Sequence, residues 1–244
     1  MRDIIVECND LTVAYREKPV LWDVDLSIPP GVMMAVVGPN GAGKSTLIKT
    51  MLELIKPVAG DVKFYGKSYN EMRSRVGYVP QRESVDWDFP TTVLDCTLMG
   101  RYGKLGWVKR PSRKDKADAL EILEKVGLFE FKNRQISQLS GGQQQRVFLA
   151  RALMQDADIY FMDEPFQGVD AKTEKAIISV LKEMKNSGKT LIVVHHDLQT
   201  IKDYFDWITI MNIKIIASGP VHKVYTEENI HEAYGSRVKA KIEV

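Results

Sequence analysis

The sequence predicts an α/β fold with a mainly parallel central sheet, a small antiparallel β part at the N-terminal end and an inserted α-helical segment. Three observations carry this. The runs VMMAVV (residues 32–37), IYFM (159–162) and LIVV (191–194) are apolar without alternation, as parallel strands covered on both faces should be. Amphipathic segments separate them. The stretch from about 82 to 155 contains no such run; Gly100, Gly103, Gly106 and Pro111 punctuate it before it turns helical.

The bulk properties narrow the classes. With 244 residues, 44% hydrophobic and 27% charged, the chain can bury a sizeable core as one cooperative unit. Its formal net charge is +2 and its basic residues are scattered among acids, so no nucleic acid partner is expected. Cys8 and Cys96 lie far apart without a CxxC spacing, which argues against a disulfide framework or zinc knuckle and fits a reduced compartment. The opening MRDIIVECND is too short and too soon interrupted for a signal peptide. Since no apolar run approaches the roughly 20 residues that span a bilayer, the chain is not expected to cross a membrane alone.

Taken in order, residues 1–64 hold short alternating segments, such as 11–15 and 62–65, that suit a small antiparallel sheet. The strand at 32–37 runs into GPNGAGKST, residues 38–46, with the helix-forming LIKTMLELI directly behind. This is a phosphate loop in the strand–loop–helix setting that gives the motif its meaning. Gly38, Gly41 and Gly43 let the backbone wrap phosphate oxygens, with Pro39, Asn40, Ala42 and Thr46 completing the loop. Lys44 would reach the β- and γ-phosphates of a nucleotide and the Ser45 hydroxyl would ligate Mg²⁺. The loop alone does not choose between kinase, GTPase and transport motor.

In the inserted segment, a helix is expected at about 113–126 with Ala117, Leu120 and Leu123 on one side and Gly127 as its stop. The segment LSGGQQQRVFLARAL (139–153) then places Ser140 as a helix cap and exposes the amides of Gly141 and Gly142 at the positive helix end, followed by Gln143. It reads as a second anion-binding terminus, or else as a plain capped helix after a polar loop. The next strand, DIYFMDEP (158–165), ends in two acids where an open α/β sheet binds its ligands. Asp163 would hold Mg²⁺ through its water shell, and Glu164 would polarise the attacking water as general base. In LIVVHHDL, adjacent strand residues point to opposite faces, so His195 and His196 are poorly placed to chelate one metal ion.

These motifs resemble the ATP-binding-cassette ATPases, and the resemblance covers nearly the whole chain. It implies a P-loop NTPase core at about 1–81 and 156–220, a helical subdomain at about 82–155 and a short tail at 221–244, all one ATPase domain. LSGGQ is the family signature, which faces the nucleotide of a partner subunit, so Ser140, Gly141, Gly142 and Gln143 would complete the site of a second copy. His196, which precedes Asp197, matches the switch histidine that contacts the γ-phosphate and the attacking water. His195 matches no family role. Gln81, in GYVPQ, matches the glutamine that links the magnesium site to the helical subdomain. Tyr15 falls where the family stacks a ring on adenine, a core or sheet-surface tyrosine being the other reading. Asp170 matches an acid at the dimer seam, or is a plain helix cap.

The run RESVDWDFPTTVLDCTLMGRYGKLGW (82–107), together with VVHHDLQTIKDYFDWI, resembles the ATPase subunits of manganese, zinc and iron importers. That implies a homodimer peripheral to the cytoplasmic face of the cell membrane, docked on polytopic permease subunits that are served by a solute-binding protein. Trp87 and Phe89 would anchor a permease helix or else pack in the core. Lys109, Arg110, Arg113 and Lys114 lean toward lipid headgroups or form a solvated loop. The alternative within the same superfamily is the soluble ATPase of iron-sulfur cluster assembly.

Overall fold

The computed structural model describes residues 3–16, 18–106 and 109–235; Trp107 and the end of the expected tail, 236–244, lie outside the described residues. In chain order the strands are β1 (Val6–Tyr15), β2 (Lys18–Ile28), β3 (Met33–Val37), β4 (Ala59–Phe64), β5 (Val76–Val79), β6 (Ile159–Asp163), β7 (Thr190–Val194), β8 (Trp207–Asn212) and β9 (Lys214–Pro220). The α-helices are α1 (Lys44–Met51), α2 (Tyr69–Met72), α3 (Val93–Met99), α4 (Tyr102–Leu105), α5 (Arg113–Lys125), α6 (Gly141–Gln155), α7 (Ala171–Asn186), α8 (Ile201–Tyr204), α9 (Val221–Val224) and α10 (Glu227–Tyr234). The chain divides into two compact units, one formed by the residues up to Arg73 and from Thr190 onward, the other by Ser74–Lys189.

In the first unit β1 pairs antiparallel with β2 and with β4, giving the small N-terminal sheet. Its buried residues change phase, from Val6 and Cys8 to Leu11 and Val13. The cause is a bulge: the register shifts between Cys8 and Leu11, and Asp10 takes a left-handed φ of 50°. The same unit carries β3 between β7 and β8, parallel to both, with every residue of β3 and β7 buried. This is the burial that their uniform apolar sequence anticipates. The hairpin of β8 and β9 was not anticipated; its turn puts the β-branched Ile213 at a φ of 63°.

In the second unit β5 and β6 pair in parallel. Among the described residues from 82 to 155 the helices and strands named above are all helical, in line with the expected insertion. Helices α3, α5 and α6 meet through Leu98, Ala119 and Met154, with Leu94 and Ile122 packed against them. Helix α5 begins at a capping box in which Ser112 Oγ accepts from the Asp115 amide and Asp115 accepts from the Ser112 amide. It stops before Gly127, whose φ is 66°. Its fully buried face is Ala119 and Leu123, whereas Ala117 is exposed. The stripe expected from the sequence is therefore rotated, because Ala119 lies under α3 and α6 and small residues carry little weight in a hydrophobic pattern.

Candidate active site

In the first unit β3 delivers the chain into the phosphate loop, and two glycines there do what a side chain could not. Gly43 has a φ of 94°, and a Cβ on it would meet the Val20 carbonyl at 2.6 Å and Leu21 Cδ2 at 2.7 Å. Gly41 has a φ of 83° with open space where a Cβ would stand. One glycine is required by packing; the other leaves the backbone open to a ligand. Helix α1 starts on Gly43 without a side-chain cap and has no acidic residue in its first turn, the arrangement that suits an anion at its positive end. Lys44 is buried, and its Nζ donates to the carbonyls of Gly38 at 2.7 Å and Pro39 at 3.0 Å, holding a cation over the loop. The loop is braced by the β8–β9 turn, where the Ile213 amide donates to the Ala42 carbonyl at 3.0 Å.

In the second unit the end of β6 places Asp163 in full burial and Glu164 half-buried beyond it. Asp163 leaves a trace on its surroundings: burial, and secondarily its negative charge, push the Tyr78 phenol up to about 12. Glu164 takes a left-handed φ of 51°, an unusual state for a non-glycine residue. Gln81, just beyond β5, turns its Nε2 to donate to Glu164 Oε2 at 3.3 Å. The two β-strands thus present an amide and a carboxylate to each other.

The α6 start is a capping box: Ser140 Oγ accepts from the Gln143 amide at 3.4 Å, and Gln143 Oε1 accepts from the Ser140 amide at 2.9 Å. The expected cap is there. Since Ser140 Oγ accepts in this bond, the bond does not use the hydroxyl's own hydrogen, which suits donation to an anion. Asp170 caps α7, accepting from the amides of Lys172 at 3.0 Å and Thr173 at 2.9 Å and from the Thr173 hydroxyl at 2.8 Å, bonds that hold its carboxyl below the usual range. Its capping role is therefore seen directly, whatever it does at a dimer seam.

Beyond β7 the two histidines part. His195 is buried and bonded through Nε2 to Thr200 Oγ1 at 2.8 Å, with the Phe205 ring centroid 5.2 Å away, while His196 is exposed. Burial, and secondarily the His196 charge, lower the His195 ring to about 4, so it is neutral near pH 7. Tyr15 is 53% exposed on β1, which leaves its ring face open for stacking. Phe89 is likewise exposed. Trp87 is half-buried; its Nε1 donates to the Arg82 carbonyl at 2.9 Å and its ring meets Phe148 edge-on at 4.9 Å between centroids. Lys109, Arg110, Arg113 and Lys114 are all exposed.

Residues 21–167 match the ABC transporter family. The chain belongs to that family. It is 59% identical over 97% of its length to the zinc transport system ATP-binding protein TroB of Treponema pallidum, 89% of which is covered. It is 60% identical over 96% of its length to the manganese transport system ATP-binding protein MntB of Bacillus subtilis, 93% of which is covered. Among solved structures, it is similar to a dimeric post-hydrolysis state of an ATP-binding cassette bound to ADP and Pi, with a TM-score of 0.77, 29% identity and coverage of 89% of this chain and 99% of that one.

As an ABC transporter ATPase, the chain binds ATP and hydrolyses it in service of transport. No helix among its described residues is long and apolar enough to cross a membrane. Two features of the structure escape motif reading. The left-handed turn at Glu164 has no glycine to announce it, and the buried Gln144 looks from sequence like any polar helix residue.

Proposed function

We propose that the chain powers import of a divalent transition metal ion, manganese, zinc or iron, as the ATPase subunit of an ABC importer. The observation that carries this reading is its likeness, along nearly its whole length, to relatives named for zinc and manganese transport. Those names favour transport over the iron-sulfur assembly alternative. The metal is cargo; among the described residues no cluster of metal-ligating side chains stands ready to bind it, and its recognition falls to other subunits.

In this reading two copies close around two ATP molecules, docked on polytopic permease subunits at the cytoplasmic face of the membrane and served by a solute-binding protein. Residues 38–46 hold the phosphates, with Lys44 on the β- and γ-phosphates and Tyr15 against adenine. Glu164 accepts hydrogen-bonding from the attacking water and polarises it. His196 steadies that water against the γ-phosphate, and Gln81 holds Glu164 in place through its amide. The donors assigned to Mg²⁺ are the Asp163 carboxylate, the Ser45 hydroxyl and the Gln81 amide, all hard oxygen groups of the kind this ion takes. When bound, Mg²⁺ neutralises charge on the β- and γ-phosphate oxygens. Ser140, Gly141, Gly142 and Gln143 turn the positive end of α6 to the other copy's ATP, and Asp170 stands at the seam. Exposed Phe89 suits a permease helix as an anchor.

The test is uptake. Deleting the gene should abolish high-affinity accumulation of radiolabelled manganese or zinc, and restoring the chain, but not its Glu164→Gln form, should recover it. Normal metal uptake together with loss of iron-sulfur enzyme activity would overturn the transport assignment.

A further inference from the structure

Arg82 follows the glutamine turn and carries no motif, yet it touches the first turn of the signature helix. Its Nε donates to Gln144 Oε1 at 3.0 Å. Gln144 is itself buried, and its Nε2 donates to the Ile136 carbonyl at 3.2 Å, so the arginine is tied to a fixed acceptor and not to a mobile surface group. The guanidinium lies against Gly141, where a Cβ would stand 3.0 Å from Cζ, 3.1 Å from Nε and 3.3 Å from Nη1. The Arg82 carbonyl receives the Trp87 Nε1 bond, and the Trp87 ring packs on Phe148, over which the Arg151 guanidinium also lies, 4.3 Å from the ring centroid.

Gly141, Gln144, Phe148 and Arg151 recur at spacings of three and four, which is one stripe of a helix. Residues 82–87 therefore touch that stripe from its first turn to its third. The placement is electrostatically awkward by itself, since a cation beside a helix N-terminus opposes the helix dipole. The directed bond to Gln144 compensates, and an anion arriving at that terminus would remove the conflict.

We infer that Arg82 is a positioning residue that fastens the glutamine turn to the start of the signature helix, so that a displacement at Gln81 reorients the Ser140–Gly142 terminus toward the ATP of the partner copy. This rests on the reading that the terminus meets that nucleotide. Geometry, not charge, is the operative property: lysine keeps the charge but lacks the planar fork that lies on Gly141 while donating to Gln144.

The experiment uses the full chain carrying Glu164→Gln, with ATP-driven dimerisation followed by sedimentation velocity and ATP affinity by a fluorescent analogue. Arg82→Met should weaken association at least tenfold while leaving analogue affinity within about twofold and the chain folded at the assay temperature by circular dichroism. Gln144→Leu should reproduce the defect, the double variant should be no worse than either, and Arg82→Lys should not rescue. Unimpaired association in Arg82→Met, full rescue by lysine, or additive defects would each overturn the inference. Ser140→Asp separates the levels: aspartate caps a helix as well as serine but repels phosphate. If Ser140→Asp dimerises normally, the reading of the terminus falls and the inference with it. If it fails to dimerise while Arg82→Met does not, only the inference falls.

Discussion

Gln81 and Glu164, 83 residues apart in sequence, are joined by a hydrogen bond of 3.3 Å from the glutamine Nε2 to the glutamate Oε2. Glu164 meets it from a left-handed backbone turn with a φ of 51°, a conformation that costs an L-residue roughly 1–2 kcal/mol. The turn thus spends stability to aim one carboxylate. Glu164→Gln keeps an oxygen that can accept from Gln81 but loses the charge proposed to polarise the attacking water. We expect ATP binding to persist, turnover to fall on the order of 10²-fold or more, and closed dimers to accumulate. Steady-state ATPase assays beside nucleotide titration check this; hydrolysis at the parental rate would remove Glu164 from its role.

Lys44 Nζ sits 2.7 Å from the Gly38 carbonyl, poised over its own loop. In the proposed site, truncating it removes the one cation of residues 38–46 that would meet phosphate. Lys44→Ala should weaken binding of a fluorescent ATP analogue by at least tenfold without unfolding the chain, as circular dichroism would verify. Unchanged affinity would contradict the phosphate-loop assignment.

His195 makes stability depend on acidity. Its folded-state value, about 4, lies below the ordinary 6.5, so the unfolded chain takes up the proton more readily. The contribution is full above about pH 6.5 and is lost as pH falls toward 4, amounting to about 3 kcal/mol. His195→Gln, which keeps an amide donor near the Thr200 hydroxyl but cannot titrate, should flatten this loss. Urea unfolding at pH 7.5 and 4.5 measures both slopes; equal slopes would mean that the buried ring does not control the acid limb.

Ile213 is held in the left-handed region at a φ of 63°, its amide bonded to the Ala42 carbonyl at 3.0 Å and its carbonyl accepting from the Trp22 amide at 2.9 Å. Both bonds belong to the backbone, so a residue more tolerant of this conformation keeps them. Ile213→Asn should stabilise the chain by roughly 1 kcal/mol, raising the melting temperature by about 2–4 °C. A lower melting temperature by calorimetry would show that the isoleucine side chain contributes more than its strain removes.

What the sequence disclosed follows from physics that acts locally. Strands β3, β6 and β7 were legible because burial on both faces leaves only apolar residues, and the Ser140 cap because a small hydroxyl before two glycines has few other uses. The β8–β9 hairpin was not, since its turn uses isoleucine where a glycine or asparagine would have announced it. Trp87 and Phe89 were indistinguishable by pattern; the fold separates them, one packed on Phe148 and the other exposed. The Gln81–Glu164 bond and the seat of Arg82 on Gly141 depend on tertiary placement, which no spacing rule encodes.

The central claim is that two copies share each site of hydrolysis, because the signature terminus of one serves the ATP of the other. Specific ATPase activity across a dilution series, with association state followed in parallel by sedimentation, tests it most directly. We expect the rate per molecule to fall in proportion to the dimer fraction and to vanish when only monomers remain. A rate per molecule that stays constant into the purely monomeric range would contradict the account.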